Sequence, residues 1–481
     1  MQDNRLHRRH PLVQFLIDNW FIFALGLVML LLPNWLSSNF DQPISNLEPR
    51  DLRGNEALKW LAVAIDLYIL AILAMSYNLL FGFSGIISFG HALFFGSAVY
   101  VMIILIGDYR MDVLRSTGVA LAVVALLALF TALAAFRIRG VYFAMFTLAL
   151  AEIFWQLARV NLFRFLTNGD DGLRLSGDQI PAIAENVNRL DLYYVSALAA
   201  GLVYLFIRRL MYSPTGKVLL AIRDNEMRAQ TMGFNTARYK LLIILISTCL
   251  AGLSGVLYSL SAKGAEPTSL GLGRTVDPLI MTIIGGTGTI PGPVVGASVL
   301  HLGDVFLNKP DLAVNLDFIV FRYEATVDTR EEWALSLGVI FILIVLFIPY
   351  GLVGQASTLW VQMRRWMRKY IYDPLVRQFP DLATYAAPFT GEPGELARLV
   401  AAQSRPAPLL MWALTYPAAV VWSVVGGLAL LAFLFSGSER PALSLILFTL
   451  VFISPLLVLH WVFRKRATLL AQVQTFIAQF R

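Results

Sequence analysis

Apolar runs punctuate the chain at about 15–32, 58–80, 84–106, 117–136, 141–162, 191–207, 241–262, 277–306, 333–350, 409–435 and 441–462. Most reach the roughly 20 residues that a helix needs to cross a bilayer core. In lipid a lone segment satisfies its backbone hydrogen bonds only as a helix. The pattern therefore predicts an all-α, polytopic integral membrane protein. Two runs depart from smooth helical filler. "SGIISFGHALFFG" (84–96) sets three glycines, two serines and a histidine in an otherwise buried stretch, and "GGTGTIPG" (285–292) breaks the run 277–306 in its middle. Glycine is poor helix filler and an ionisable side chain in a membrane is expensive, so both read as interrupted spans.

Charge orients the spans. Basic clusters sit at segment ends, in "RLHRRH" (5–10), "MRRWMRKY" (363–370) and "FRKR" (463–466), and loops rich in Lys and Arg stay in the cytoplasm. With the N-terminus inside, alternation puts 34–57, with four acids and two bases, outside; it puts 136–140 inside, 164–190 outside and the basic 208–240 inside. Alternation fails once. For 363–370 to lie inside, 277–306 must begin and end on the outer side, as a re-entrant hairpin or as two short full spans. The loop 308–332, with six acids against three bases, suits the outside. The expectation is about ten transmembrane helices plus a broken or re-entrant Gly/Pro-rich element, with N-terminus and C-terminus cytoplasmic. The run 15–32 is expected to be a retained span, because no small-x-small cleavage site follows it. Residues 1–354 read as the core, 355–408 as a cytoplasmic linker, and 409–481 as an extra two-helix membrane extension.

Composition sharpens the class. The 481 residues are 58% hydrophobic and 14% charged, with a mean hydropathy of +0.68, whereas a soluble domain carries about 25% charge. The net charge of +7 is spent at segment ends and does not point to nucleic acid. A single cysteine, Cys249, excludes an intramolecular disulfide, and five dispersed histidines (7, 10, 91, 301, 460) offer no obvious metal site. There is no GxxxxGK[ST] phosphate loop, no HExxH and no GxSxG. The chain is not expected to be an enzyme or to hold a cofactor; if transport is ATP-driven, another chain must hydrolyse the ATP.

Candidate chemistry concentrates in three places. Ser84, Gly85, Ser88 and His91 in the first break, and Gly285, Gly286 and Thr287 in the second, are candidates for lining a pathway, because matching broken segments in two halves of a transporter mark its translocation site. The competing reading is close helix packing, since Gly288, Gly292 and Gly296 recur every fourth residue. Asp66, Glu152 and Asp304 are intramembrane acids, functional by default; alternatively Asp66 is a packing partner and Glu152 pairs with Gln156. The third place is 213–240, where Leu219, Leu220, Ile222, Met227 and Met232 form an apolar stripe beside Arg223, Asp224, Glu226 and Arg228. Such a helix lies on lipid headgroups or docks into a cytoplasmic partner, and its mixed charge favours docking.

Six ordered blocks carry a resemblance: 77–101, "RGVYFAMFTLALAEI" (139–153), "TNGDDGL" (167–173), 216–259, "GGTGTIPGPVVGA" (285–297) and "LFIPYGLVG" (346–354). Together, over roughly 55–355, they resemble the membrane subunits of branched-chain amino-acid ABC importers, the larger M-type permease above all. The resemblance implies a permease subunit that moves branched-chain or other neutral amino acids inward by alternating access, in a bacterial cytoplasmic (inner) membrane. It implies a second homologous permease, two ATPase subunits that use the ATP, and an external substrate-binding protein. It also implies that 216–234 is the ATPase-coupling region, with Ala221, Arg223, Asp224, Glu226 and Gly233 as its residues, although the spacing from Glu226 to Gly233 in "NEMRAQTMG" departs from the usual coupling loop. The loop 308–332 is longer than the family pattern, and everything beyond about 355 lies outside it. A urea or short-amide ABC importer permease shares these blocks, and an ATP-independent channel or secondary transporter is the reading from another class.

Overall fold

The computed structural model describes residues 20–40, 55–135, 138, 140–160, 164–185, 189–307, 313–318, 321–326, 338 and 351–355. The predicted spans 409–435 and 441–462, the linker 355–408 beyond residue 355, and all of 333–350 except residue 338 lie outside the described residues.

The helices are α1 (Trp20–Phe40), α2 (Glu56–Asn78), α3 (His91–Gly107), α4 (Val113–Ala135), α5 (Val141–Arg159), α6 (Arg189–Tyr212), α7 (Pro214–Asp224), α8 (Glu226–Thr231), α9 (Thr236–Ala262), α10 (Gly273–Gly285) and α11 (Gly292–Leu307). Five of the described helices are long and apolar enough to cross a membrane, at 56–83, 113–134, 141–159, 189–212 and 236–262, and His91–Gly107 is a shorter apolar helix. The protein is thus a predominantly helical, multi-pass membrane protein. Two small antiparallel sheets qualify the all-α expectation: β1 (Leu173–Arg174) pairs with β2 (Gly264–Ala265). In a separate unit, within the long loop 308–332, β3 (Ala313–Phe318) pairs with β4 (Phe321–Thr326), Ala313 opposite Thr326 and Phe318 opposite Phe321.

Local chemistry sets the starts. Asn55 caps α2 by accepting from the Leu58 amide at 3.0 Å. Ser213 caps α7 with Pro214 as its first residue, Asn225 caps α8, and Asn235 caps α9. Each supplies an acceptor for an amide that the helix leaves unpaired. The first apolar run was expected to end at 32, but α1 continues through Pro33 to Phe40.

The axis of the bundle is the antiparallel pair α2 and α9. Three serines seven residues apart on α9 reach across it. Ser261 donates to Asp66 at 3.2 Å, Ser254 to the Ile69 carbonyl at 2.7 Å, and Ser247 to the Ser76 carbonyl at 2.7 Å. Without a hydrophobic drive between helices in lipid, such bonds and close small-residue packing hold helices together. On the far side of α2, Tyr68 and Tyr193 pair their hydroxyls at 3.0 Å, and Tyr193 donates on to the Met29 carbonyl at 2.7 Å. One end of the bundle is closed by 164–185, where Gln179 donates to the Gly107 carbonyl at 3.2 Å and Arg110 pairs with Asp178 at 2.7 Å. The opposite end carries α7 and α8.

Candidate functional site

Both breaks predicted from glycine are breaks in the fold. After α2 the chain makes one π turn, Leu79–Phe83, then runs without helix until α3 begins at His91. Single π turns inside helices recur at functional sites. The second run divides into α10 and α11, joined by 286–291, so a hairpin replaces one continuous span. The hairpin is drawn tight by glycine. A Cβ on Gly296 would lie 1.7 Å from the Met281 carbonyl oxygen, and one on Gly285 would lie 1.8 Å from the Gly292 carbonyl oxygen. No other residue permits that approach. The turn between the helices needs φ values of 120° at Gly286 and 73° at Gly288, which side chains with a Cβ rarely adopt.

The two breaks meet. Asn78, buried at the end of α2, accepts from the Gly288 amide at 2.9 Å and donates to the Thr289 carbonyl at 2.8 Å. One amide side chain therefore satisfies a donor and an acceptor of the second break, as a backbone strand would. Thr282 of α10 donates to the Ala74 carbonyl at 3.3 Å, fixing the hairpin against α2 one turn further along. Gly351 backs on Gly286, so the end of the last sequence block reaches the same junction.

The surface segment reaches this junction through one side chain. Arg223, near the end of α7, donates from Nη1 to the Gly82 carbonyl. Its stem lies against Gly85: a Cβ there would be 3.1 Å from Arg223 Cγ. The same Nη1 lies 2.7 Å from where a Gly288 Cβ would be. The turn that follows α2 and the turn that follows α10 thus meet at one guanidinium, which bonds a carbonyl of the first and packs against the second. Gly85, a pathway candidate, and Arg223, a coupling candidate, are far apart in the sequence and meet in this contact.

The remaining site residues are distributed as follows. Ser84 donates back to the Leu80 carbonyl at 2.5 Å, and Ser88 accepts from the Gly90 amide at 3.2 Å. His91 is 0% exposed, shares a 3.2 Å bond between Nε2 and Ser247, and meets the edge of Tyr77 at 4.7 Å. These three are buried and bonded within the chain, whereas Gly85, Ile87 and Thr287 are exposed. Glu152 is not brought to the breaks. It lies on the exposed face of α5 and accepts from Gln156 at 3.1 Å. The intramembrane Asp66 pairs with Ser261. Among the described residues no three His, Cys, Asp or Glu come together to hold a metal ion.

The segment 213–240 is two helices, not one with a continuous stripe. Asn225 is extended (φ −162°) between α7 and α8, because its side chain caps α8. Leu219 and Ile222 are buried against the bundle, but Met227 and Met232 are 67% and 71% exposed. Glu226 binds Lys240 at 2.6 Å and accepts from Thr236 at 3.2 Å, locking α8 to the start of α9. Gly233, at φ 88°, makes the turn that follows α8. Ala221, Asp224 and Arg228 face solvent. The segment is a small surface platform with one buried edge and one exposed, mixed-charge edge.

Asn78 was not singled out from the sequence, although it stands as an amide within an apolar run, directly before "LLFGFSG" (79–85). An uncharged polar residue beside a helix break was the available signal.

Comparison with known proteins accords with this architecture. The high-affinity branched-chain amino acid transport system permease protein LivM of Escherichia coli K12 is 24% identical over 305 residues, covering 59% of this chain and 67% of the relative. The LivH permease protein of the same system and strain is 23% identical over 301 residues, 59% of this chain and 91% of the relative. A probable LivM from Methanocaldococcus jannaschii is 25% identical over 175 residues, 36% of this chain and 49% of the relative. The sequence profile described as "Branched-chain amino acid transport system / permease component" matches residues 60–348, more than half of the chain and every part of the junction up to the α10–α11 hairpin. The protein belongs to the branched-chain amino acid transport system permease family.

Proposed function

We propose that this chain is the membrane permease of an ATP-driven importer for branched-chain or other neutral amino acids, working in a bacterial inner membrane beside a second, homologous permease. Two ATPase subunits supply ATP hydrolysis, so this chain needs no cofactor of its own, and an external binding protein delivers the substrate. As a member of a permease family it is a transport subunit and not an enzyme. The observation that carries the reading is the contact of a mixed-charge surface segment, through Arg223, with two broken membrane elements at once. A permease driven from outside its own chain requires such a link; a self-contained channel does not.

In this scheme α7 and α8 face the cytoplasm and 164–185 lies outside; the acidic loop 308–332 is assigned to the outside by its charge. About ten spans complete the chain, with both termini inside. The α10–α11 hairpin enters and leaves on the outer side, and its tip reaches the level of the coupling segment. The exposed positions of the junction, Gly85, Ile87 and Thr287, form its pathway face, and a zwitterion is held there by helix ends and free backbone groups. Ser84, Ser88, Gly285 and Gly286 shape that face from behind.

The test is ATPase activity of the reconstituted complex with its binding protein, comparing leucine, urea and glutamine. Leucine stimulates hydrolysis in this reading. Stimulation by urea alone, or by no amino acid, overturns the assigned substrate class; absence of any associated ATPase overturns the ATP-driven mechanism.

A further inference from the structure

We propose that Arg223 is the positioning residue that carries movement of the surface segment to both broken elements, as a latch whose withdrawal frees the junction of Gly82 and Gly288. The proposal rests on the reading of the chain as an ATP-driven permease.

The geometry is specific to this side chain. α7 touches the bundle through Leu219 and Ile222, which are buried, and these apolar contacts carry no directional information. Arg223 differs. Its guanidinium donates to the Gly82 carbonyl, in the π turn where helical pairing is already disturbed. Its stem covers Gly85, and its Nη1 faces the Gly288 backbone. Gly288 is tied in turn to α2 through Asn78, at 2.9 Å. A shift of α7 thus acts at once on the end of α2 and on the hairpin tip. Both elements lack the helical ladder that stiffens their neighbours. The π turn precedes a helix-free stretch to Gly90, and the tip 286–291 is held by Asn78, Thr289 and Arg223 instead of by a helix. The guanidinium bonds one backbone carbonyl and packs against a second backbone segment, a planar geometry that an ammonium does not reproduce.

Arg223 is exposed at its outer edge, so its replacement leaves the core intact. The experiment uses the complete complex, with partner permease, ATPase subunits and binding protein, in proteoliposomes, and reads leucine uptake per ATP hydrolysed. Arg223→Met keeps the stem against Gly85 and removes the donors; Arg223→Lys keeps the charge; Lys59→Ala, an exposed residue at the start of α2 and outside the coupling segment, is the control. Coupling free energies between sites correspond typically to factors of roughly 5–150. The expected result is that Arg223→Met lowers uptake per ATP at least about five-fold while leucine-stimulated hydrolysis persists. Arg223→Lys falls between it and wild type, and Lys59→Ala matches wild type. An unchanged ratio for Arg223→Met overturns the latch. So does a parallel loss of uptake and hydrolysis, which marks a mere docking residue. If wild type itself shows no ATP-dependent uptake, the ATP-driven reading fails first, and that outcome is read separately from the ratio.

Discussion

Gly296→Ala tests the hairpin most directly. The added carbon would sit 1.7 Å from the Met281 carbonyl oxygen and 3.0 Å from the Gly285 amide nitrogen, where ordinary contact begins at 3.4 Å. Both neighbours are backbone atoms, so no side chain can swing away; α10 and α11 must separate by roughly 1.7 Å, the difference between 3.4 and 1.7. Overpacking of this kind costs about 1–3 kcal/mol, and a rigid backbone places it toward the upper end. Against this, Ala gains about 0.5–1 kcal/mol over Gly in a helix. Gly303, in the same helix, has nothing within 4 Å of its Cβ position, so Gly303→Ala collects the gain alone. The two substitutions, chemically identical and two turns apart, share that gain and should therefore differ by the overpacking cost alone, roughly 3 kcal/mol. Thermal unfolding of the full chain in nanodiscs reads the difference, with uptake as the second readout. If Gly296→Ala is as stable as Gly303→Ala and transports normally, the glycines do not set the approach of the hairpin helices.

Asn78→Leu strands the Gly288 amide and the Thr289 carbonyl. Each unsatisfied buried group costs about 1–3 kcal/mol, so uptake should collapse while the protein still reaches the membrane, as a transport assay beside a membrane-fraction blot will show. His91→Gln should keep uptake and substrate preference, because an amide can still meet Ser247, whereas His91→Ala should lower thermal stability with preference unchanged; a changed preference in competition assays would place His91 on the pathway. The Arg110 hydrogen bond holds the Asp178 carboxyl below the usual carboxylate range. Its contribution is therefore present above the unfolded value near 3.9 and is lost as pH falls through the lower folded value. Hydrogen exchange at 175–180, corrected for intrinsic rates, should stay constant from neutral pH down to about pH 4 and rise only below it; Asp178→Asn should exchange fast throughout, and loosening that begins above pH 5 would refute the pairing.

Much of this fold was legible because lipid removes options. A run such as 236–262 has one way to satisfy its backbone, so its helix follows from composition alone. The breaks at 84–90 and 286–291 were legible for the converse reason, since glycine and proline in such runs withdraw helix propensity without supplying another regular structure. What sequence spacing left open was which neighbour claims each polar group. Glu152 and Gln156 stand four apart on one face and satisfy each other, whereas Ser247, Ser254 and Ser261 look like filler until α2 is laid beside them. The continuous stripe expected over 219–232 fails for a local reason. Asn225 gains more by capping α8 than by extending α7, which turns Met227 and Met232 outward.

The distribution of polar contacts separates rigid from movable parts. Along α2 and α9 the Ser247 and Ser254 bonds are buried, each formed to a backbone carbonyl between the helices, and the Ser261–Asp66 bond is part-buried. At the junction the pattern reverses. Asn78 bonds Gly288, and Gly82, packed beside both, accepts from an exposed arginine of the surface segment. Opening the bundle at its serine seam would strand several polar groups in lipid, each at a cost of kilocalories. At the junction, water arriving with the displaced arginine can replace the lost partners. If α7 is the driven segment, as proposed, free energy delivered to it is expected to move the junction before the α2–α9 axis, which would then serve as the frame against which the two broken elements change position.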